Sequence, residues 1–458
     1  MLPRFKVFVA CDIENGFSKK GTIPWNLAAD RKFLKEKTVG NGNNVIIMGK
    51  DTFLAMPHKP LPLRKNVIIS GTMNAHQYQD VLVYPSLLTA LTELGKLEKT
   101  IDNVFIWGGQ QLYTESLTTF GYLCDKVYLT RVKGKYSCDR HFPYHILETK
   151  PSKIKVDTSE YTILSYKPQI RHQEEKYLTL TRKILHEGEK LMDRTNVGTL
   201  SKFGKRLKFD ISNTIPILTT KKTLHEKVIK ELLWMISGST SSKVLEEQNV
   251  MIWKANSTRE FLDGRGLPEY EEGDLGPIYG FQWRYWNAEY LGTNEKYTGQ
   301  GIDQLLNVIN LIKTQPQSRR LLVSAWNVEQ LDKMALPPCH VMFQFHVSQT
   351  GHLDCQVYQR SADVFLGLPF NIVFYSVLTY IIGHLTHFKP RKLIMCLGDA
   401  HVYSTHIESA QKMLQRTPLP WATLSINKEH TKLEDFTFDS FEVHNYISWP
   451  YISAPMSV

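Results

Sequence analysis

The run ALPPCHVMFQFHV, residues 335–347, fixes the reading of the larger part of this chain. Its second half is a β-branched and aromatic stretch that reads as a strand. The strand is entered through Pro337 and Pro338, which lock φ and remove two backbone donors. The thiol of Cys339 is therefore presented rigidly at a strand start. A thiolate, not a thiol, is a nucleophile, and cationic neighbours favour it. SRR (Ser318–Arg320) and YQRSAD (Tyr358–Asp363) bring such cations nearby in sequence. His340 follows directly, and adjacent strand residues point to opposite faces, so it reads as a hydrogen-bonding support and not a base. Working outward, RRLLVSAW (Arg319–Trp326) and LDCQVYQRS (Leu353–Ser361) read as further strands, and Tyr177–Glu189 and Lys222–Ser237 as helices. The expectation is an α+β unit around a large mixed sheet.

The first third reads differently. FKVFVACDI (Phe5–Ile13), VIIM (Val45–Met48), NVIIS (Asn66–Ser70), VLVY (Val81–Tyr84) and NVFIWGG (Asn103–Gly109) are short apolar runs suited to buried strands. Helical patterns lie between them at Ala28–Lys37, Ser86–Leu97 and Gln110–Thr118. Alternation of this kind predicts an α/β unit, a mostly parallel central sheet with flanking helices. After the strand-like SEYTILSYK comes the polar stretch PQIRHQEEK, Pro168–Lys176. The expected division is residues 1–168, a short linker 169–176, and 177–458.

Composition bounds the function. With 42% hydrophobic and 22% charged residues, the chain is an ordinary globular protein. Its six cysteines form no CxxC pair, which suggests reduced thiols and no disulfide framework. No secretory signal is evident at the N-terminus, and a cytoplasmic location is expected. Val364–Gly383 is long and apolar enough to imitate a membrane span, but it carries Pro369, Asn371, Ser376 and Thr379. It reads as a buried core helix, with no membrane partner. Net charge is +10: residues 1–170 carry 23 Lys and Arg against 15 Asp and Glu, the remainder 32 against 30. The charges are scattered, without a basic run or nucleic-acid motif, so small anionic ligands account for them better than a nucleic-acid site does.

Two resemblances organise the rest. RTNVGTLSKFG (Arg194–Gly204), LTTKK (Leu218–Lys222), ELLWMISG (Glu231–Gly238), EGDLGPIYGFQWR (Glu272–Arg284), SRR, ALPPCH, YQRSAD, LGLPFN (Leu366–Asn371) and GDAHVY (Gly398–Tyr403) occur in this order. Over about residues 174–458 they resemble thymidylate synthase. IPW (Ile23–Trp25) with Asp30 five residues on, VIIMGKDTF (Val45–Phe53), LPLRKNVIIS (Leu61–Ser70), IWGGQQLY (Ile106–Tyr113), YLTRV (Tyr128–Val132) and HFP (His141–Pro143) resemble dihydrofolate reductase. Reductase first and synthase second is similar to the bifunctional enzymes of protists and plants. The pairing is coherent, because the synthase's product, dihydrofolate, is the reductase's substrate.

In the reductase part, the resemblance implies that Asp30 supports protonation of the pterin. Val9, Ala10, Leu34 and Thr130 would line its pocket, with Arg64 on the folate α-carboxylate. For NADPH it implies Gly49, Lys50, Thr52, Ser70, Thr72, Gly108 and Gly109, with Lys50 on the 2′-phosphate and the glycines beside the pyrophosphate. In the synthase part, Cys339 would attack carbon 6 of dUMP, and Glu231 and Tyr279 would manage protons. Arg194, Arg360 and Ser361, with Arg319 and Arg320 from a partner chain, would clamp the phosphate. Gln359 and Asn371 would meet the uracil, and His401 and Tyr403 the deoxyribose. Trp253 and Asp363 would contact the ring of methylenetetrahydrofolate, the co-substrate, and Lys221 its tail. A homodimer through the synthase part is implied; a metal is not.

The sequence departs from the family at Ser18, Arg31, Leu34 and Gly71 in the reductase part and at Lys254 in the synthase part. These departures motivate one alternative: an active synthase joined to a folate- or NADPH-binding first domain with little reductase activity of its own.

Overall fold

In the computed structural model, residues 2–74, 78–97, 100–192, 197–427 and 429–456 are described. Arg194 lies outside them. The chain divides into two compact units, Met1–His172 and Gln173–Val458.

The first unit contains β1 (Phe5–Cys11), β2 (Gly16–Ser18), α1 (Ala28–Val39), β3 (Val45–Gly49), α2 (Lys50–Ala55), β4 (Lys65–Ile69), β5 (Val81–Tyr84), α3 (Leu87–Lys96), β6 (Val104–Ile106), α4 (Gln110–Thr118), β7 (Cys124–Val132), β8 (Arg140–His141), β9 (Ser152–Asp157) and β10 (Tyr161–Tyr166). Eight strands form one sheet in the order β5-β4-β3-β6-β1-β7-β10-β9, parallel from β5 to β7 and antiparallel over the last two pairs. Central parallel strands are covered on both faces, which is why β1 and β3 are almost continuously apolar. α3 shows how a flanking helix forms. Ser86 caps it by accepting the Thr89 N–H at 3.1 Å, and Leu87, Ala90, Leu91 and Leu94 bury one stripe. α1 differs, because only Asp30 and Thr38 are fully buried on it. Phe33 and Leu34 are half-covered and pack against the core of the sheet.

The second unit contains α5 (Glu175–Glu187), β11 (Glu189–Leu191), β12 (Thr199–Asp210), α6 (His225–Ile236), α7 (Ser242–Glu246), α8 (Arg259–Gly264), α9 (Tyr279–Tyr285), α10 (Gln304–Thr314), β13 (Leu322–Ser324), β14 (His340–Val347), β15 (His352–Asp363), α11 (Gly367–Thr386), β16 (Lys389–Tyr403), α12 (Ile407–Leu414), β17 (Thr423–Ile426) and β18 (Phe441–His444). Its main sheet runs β11-β12-β16-β15-β14-β13, mixed because β15 and β16 are parallel and the other pairs antiparallel. α11, the apolar helix, packs on one face and is mostly buried. Pro369 falls in its first turn, where backbone N–H groups have no intrahelical partner to lose.

The strand expected at Arg319–Trp326 is reduced to Leu322–Ser324. Arg319 and Arg320 precede it on an exposed turn, since the ladder with β14 starts only at Leu322, opposite Gln344. β12 and β16, neighbours in the sheet, do not read as strands from their own sequences.

Candidate active sites

In the first unit, α1 and β7 bring Asp30 and Thr130 together. The Thr130 hydroxyl donates to Asp30 Oδ1 at 2.6 Å. Burial pushes the Asp30 carboxyl above its ordinary range, and the Thr130 bond and nearby Arg31 only partly offset it. Val9 and Ala10 on β1 pair with Leu129 and Thr130 on β7, so the pocket floor is set by sheet register. Arg64 donates to the Thr38 hydroxyl of α1 at 2.9 Å and to the Pro62 carbonyl at 3.0 Å. It therefore stands at the far end of the helix that carries Asp30 in its first turn.

A second set of residues converges at the ends of β3, β4 and β6. The Gly49 N–H donates to the Gly108 carbonyl at 2.8 Å. A Cβ on Gly109 would lie 3.4 Å from the Thr52 hydroxyl, and one on Gly108, at φ +94°, 3.2 Å from the Tyr113 ring. Lys50 Nζ donates to the Thr72 hydroxyl at 3.2 Å, and Ser70 Oγ accepts the Thr72 N–H, also at 3.2 Å. Gly49, Lys50, Thr52, Ser70, Thr72, Gly108 and Gly109 are thus one neighbourhood, with α2 and α4 starting at Gly49 and Gly109.

In the second unit, Cys339 stands immediately before β14. Its backbone N–H donates to the Tyr279 hydroxyl at 2.7 Å, and its carbonyl accepts the Arg360 N–H at 2.8 Å. The Arg360 guanidinium donates to the carbonyls of Pro337 and Pro338, both at 2.9 Å, and lies 5.3 Å from the Trp326 ring centroid. The prolines thus turn their carbonyls to the cation whose backbone N–H also bonds the Cys339 carbonyl. Arg265, which drew no attention in the sequence, donates to the Ala335 and Met334 carbonyls just upstream. A Cβ on Gly398 would meet the Arg360 carbonyl at 2.6 Å, so glycine lets β16 pass close to β15 at this point.

Glu231 on α6 is buried and accepts the Trp253 indole N–H at 2.8 Å. Burial raises its carboxyl to about 7. Tyr279 packs between Trp253 and His340, and burial keeps its phenol protonated. His340 is buried against Tyr375, with Nδ1 2.6 Å from the hydroxyl, and burial depresses it to about 3. It is a neutral spacer behind the thiol. Gln359 Nε2 donates to the Ser361 carbonyl at 3.0 Å and to Asn371 Oδ1 at 3.1 Å, while its own Oε1 is buried without a partner. His401 Nδ1 lies 3.1 Å from Asp399, which also accepts from Ser201 at 2.7 Å, and Tyr403 stands edge-on to His401. Asp363 at the end of β15 pairs in register with His401.

Lys221 is buried: its ammonium donates to the Phe365 carbonyl and lies 3.8 Å from the Phe365 ring centroid. Burial lowers it to about 8. Arg319 and Arg320 do not reach Cys339 within the chain. Phe345 N–H bonds the Leu321 carbonyl, which puts these arginines beside the far end of β14. Six or seven residues separate that end from Cys339, roughly 20 Å of strand. Among the described residues no group of His, Cys, Asp and Glu is arranged to hold a metal ion.

The thymidylate synthase family profile matches residues 175–458, and the dihydrofolate reductase profile residues 4–176. The chain is 38% identical to a bifunctional dihydrofolate reductase-thymidylate synthase of Glycine max, over 99% of this chain and 95% of the relative. It is 38% identical to the enzyme of that name from Paramecium tetraurelia, over 99% of each. For the one from Leishmania major the identity is 37%, over 100% of this chain and 96% of the relative.

Proposed function

Because the chain belongs to the bifunctional dihydrofolate reductase-thymidylate synthase family, we propose how its residues divide that family's two reactions. The enzyme methylates dUMP to dTMP with methylenetetrahydrofolate and reduces the dihydrofolate so formed with NADPH. The reading in which the first unit only binds ligands is not favoured, since a full-length match covers both parts.

In the synthase unit, the Cys339 thiolate adds to carbon 6 of the uracil, and carbon 5 becomes the nucleophile that accepts the one-carbon unit. Methylenetetrahydrofolate supplies that unit together with the hydride that completes the methyl group, and leaves as dihydrofolate. The observation that carries this reading is the three-point fixation of Cys339 by Tyr279, Arg360 and the two prolines. Arg360 and Ser361 take the phosphate, completed by Arg194 and by Arg319 and Arg320 of a second chain. Asn371, oriented by Gln359, meets the uracil amide edge, a donor–acceptor pattern that cytosine does not share. Glu231, poised about 7, exchanges protons with the ring through water, and Tyr279 serves carbon 5. His401 and Tyr403 hold the deoxyribose hydroxyl. Trp253 and Asp363 flank the folate ring, and Lys221, which acts electrostatically on Asp363, serves the folate's tail side.

In the reductase unit, Asp30 and Thr130 bond the pterin edge, and the raised carboxyl of Asp30 assists protonation of the ring nitrogen through water. Arg64 pairs with the folate α-carboxylate. The glycine cradle fits NADPH: Gly108 holds φ +94°, where a Cβ would also crowd the Tyr113 ring, and bare backbone at two helix starts suits a pyrophosphate. NADPH supplies the hydride when bound, and Lys50 beside Thr72 is placed for its 2′-phosphate.

The enzyme works as a homodimer through the main sheet of the synthase unit. Two cross-strand rows, Leu322–Gln344–Gln356–Ile394–Lys208 and Ser324–Met342–Tyr358–Cys396–Arg206, lie on the face opposite α11. Leu322, Met342 and Tyr358 are exposed there although they belong to the sheet. The lack of disulfides among the described residues supports a reducing compartment, which we take to be the cytoplasm. Assaying both reactions on variants that disable one unit at a time tests the division. Loss of both activities from one folded single-site variant would refute it.

A further inference from the structure

Three buried titratable groups, Lys221, His401 and His406, act electrostatically with Asp363. His406 follows the last strand residue of β16 by three positions and is fully buried. Its Nε2 is 2.7 Å from the carbonyl oxygen of Pro455 in the C-terminal segment, and its Nδ1 is 3.7 Å from Asp363 Oδ1. A carbonyl only accepts, so Nε2 carries a proton. A neutral ring would then turn the Nδ1 lone pair toward a carboxylate, whereas an imidazolium turns an N–H there. The other groups facing the ring are Lys221, from the segment before α6, and Tyr403, edge-on at 5.4 Å from the end of β16. Burial pulls His406 down, but Asp363 and the Pro455 carbonyl outweigh it and hold the imidazole above its ordinary value. Asp363 itself accepts the N–H groups of Phe365 and Leu366 at 2.9 and 3.2 Å; burial works against its charge, and His406 keeps it ionised.

We propose that His406 is a positioning residue for the synthase reaction, fixing Asp363 for the folate and tying it to the C-terminal segment at Pro455. The inference rests on the reading of Asp363 as a folate contact.

Two variants separate its hydrogen bond to Pro455 from its charge contact with Asp363, where Nδ1 at 3.7 Å makes no hydrogen bond. His406→Gln keeps a donor for Pro455 and loses the charge toward Asp363, whereas His406→Asn keeps a donor near Asp363 and loses Pro455. Methylation is measured across about pH 6–9 with KM for methylenetetrahydrofolate resolved from kcat. In the unchanged enzyme, KM should rise with pH as the imidazolium is lost, at a value above that of an ordinary histidine. In His406→Gln, KM should be raised at every pH and this rise should vanish, with kcat less affected. The loss in kcat/KM is expected to be roughly 10-fold and at most about 10²-fold. Dihydrofolate reduction by the same chain, together with the thermal transition, checks that the variants fold. Lys221 and His401 are present in both proteins, so a KM step that survives in His406→Gln belongs to one of them and overturns the proposal. Unchanged KM in both folded variants overturns it too. If neither variant folds, a flat KM profile in the unchanged enzyme overturns it; a rise that Lys221→Met abolishes overturns it too, and a rise that persists in Lys221→Met supports it. Asp363→Asn separates the premise: unchanged KM there refutes the folate reading, whereas raised KM there without an effect at His406 refutes only this inference.

Discussion

The Tyr279 hydroxyl accepts the backbone N–H of Cys339 at 2.7 Å, so a phenol on α9 sets the start of β14 and with it the position of the nucleophile. Tyr279→Phe leaves that N–H without its partner, a cost of about 1–3 kcal/mol if no water replaces it. The variant is expected to slow dTMP formation by roughly 10²-fold, the lower range for a lost proton-transfer group, with dihydrofolate reduction unchanged. Rates within a factor of two of the unchanged enzyme would show that neither the bond nor the phenol proton matters.

Cys339→Ser is expected to abolish dTMP formation and leave reduction intact, since Asp30 belongs to the other unit. The side chains are nearly isosteric, but a hydroxyl is rarely ionised near neutrality. The check is a spectrophotometric assay of each reaction on one preparation. Residual methylation at more than a trace would remove Cys339 from the role of nucleophile.

Asp30→Asn is expected to cut reduction by roughly 10²–10⁴-fold and to leave methylation alone. The deficit should shrink as pH falls, because dihydrofolate then arrives already protonated. A pH-independent deficit would mean that the side chain only binds and does not assist protonation.

Glu231 links activity to stability. Its carboxyl ionises in the folded protein only at about 7, against 4.5 in the unfolded chain, so the unfolded chain loses the proton first. Its burial therefore costs nothing below about pH 4.5, and stability is lost as pH rises toward 7, at about 1.4 kcal/mol per pH unit. Glu231→Gln keeps an acceptor for the Trp253 indole and removes this term. It is expected to be inactive in methylation, yet to gain thermal stability over the unchanged protein at pH 8 more than at pH 4.5. Calorimetry at both pH values decides; an equal difference at each would show that Glu231 is not held protonated by burial.

A shared synthase site is tested by complementation. Cys339→Ala chains and Arg319→Glu/Arg320→Glu chains, each inactive alone, are mixed under conditions of subunit exchange. Random pairing makes half the dimers hybrid, and half the sites of a hybrid carry neither defect. Methylation should return to about a quarter of the unchanged level. No recovery despite demonstrated exchange would place the arginines outside the site.

Much of this could be read along the chain. Apolar runs bounded by turns mark β1, β3 and β5, and α3 begins where its cap at Ser86 requires and buries the stripe its leucines space out. ALPPCH announced a fixed thiol, and the glycines after Ile106 a close backbone approach, because proline and glycine act through local geometry. What periodicity could not supply was pairing. β16 opens on KPRK and crosses Gly398 and Asp399, a poor strand by its own composition. It is one because β12 and β15, remote in sequence, bond it on both edges. Tertiary structure likewise decided that Arg319 and Arg320 stand a strand's length from Cys339, that Lys221 turns inward to Phe365, and that His406 meets both Asp363 and Pro455. Local sequence sets backbone preference and chemistry. Which buried groups face one another is set by strand register and packing between segments tens to hundreds of residues apart.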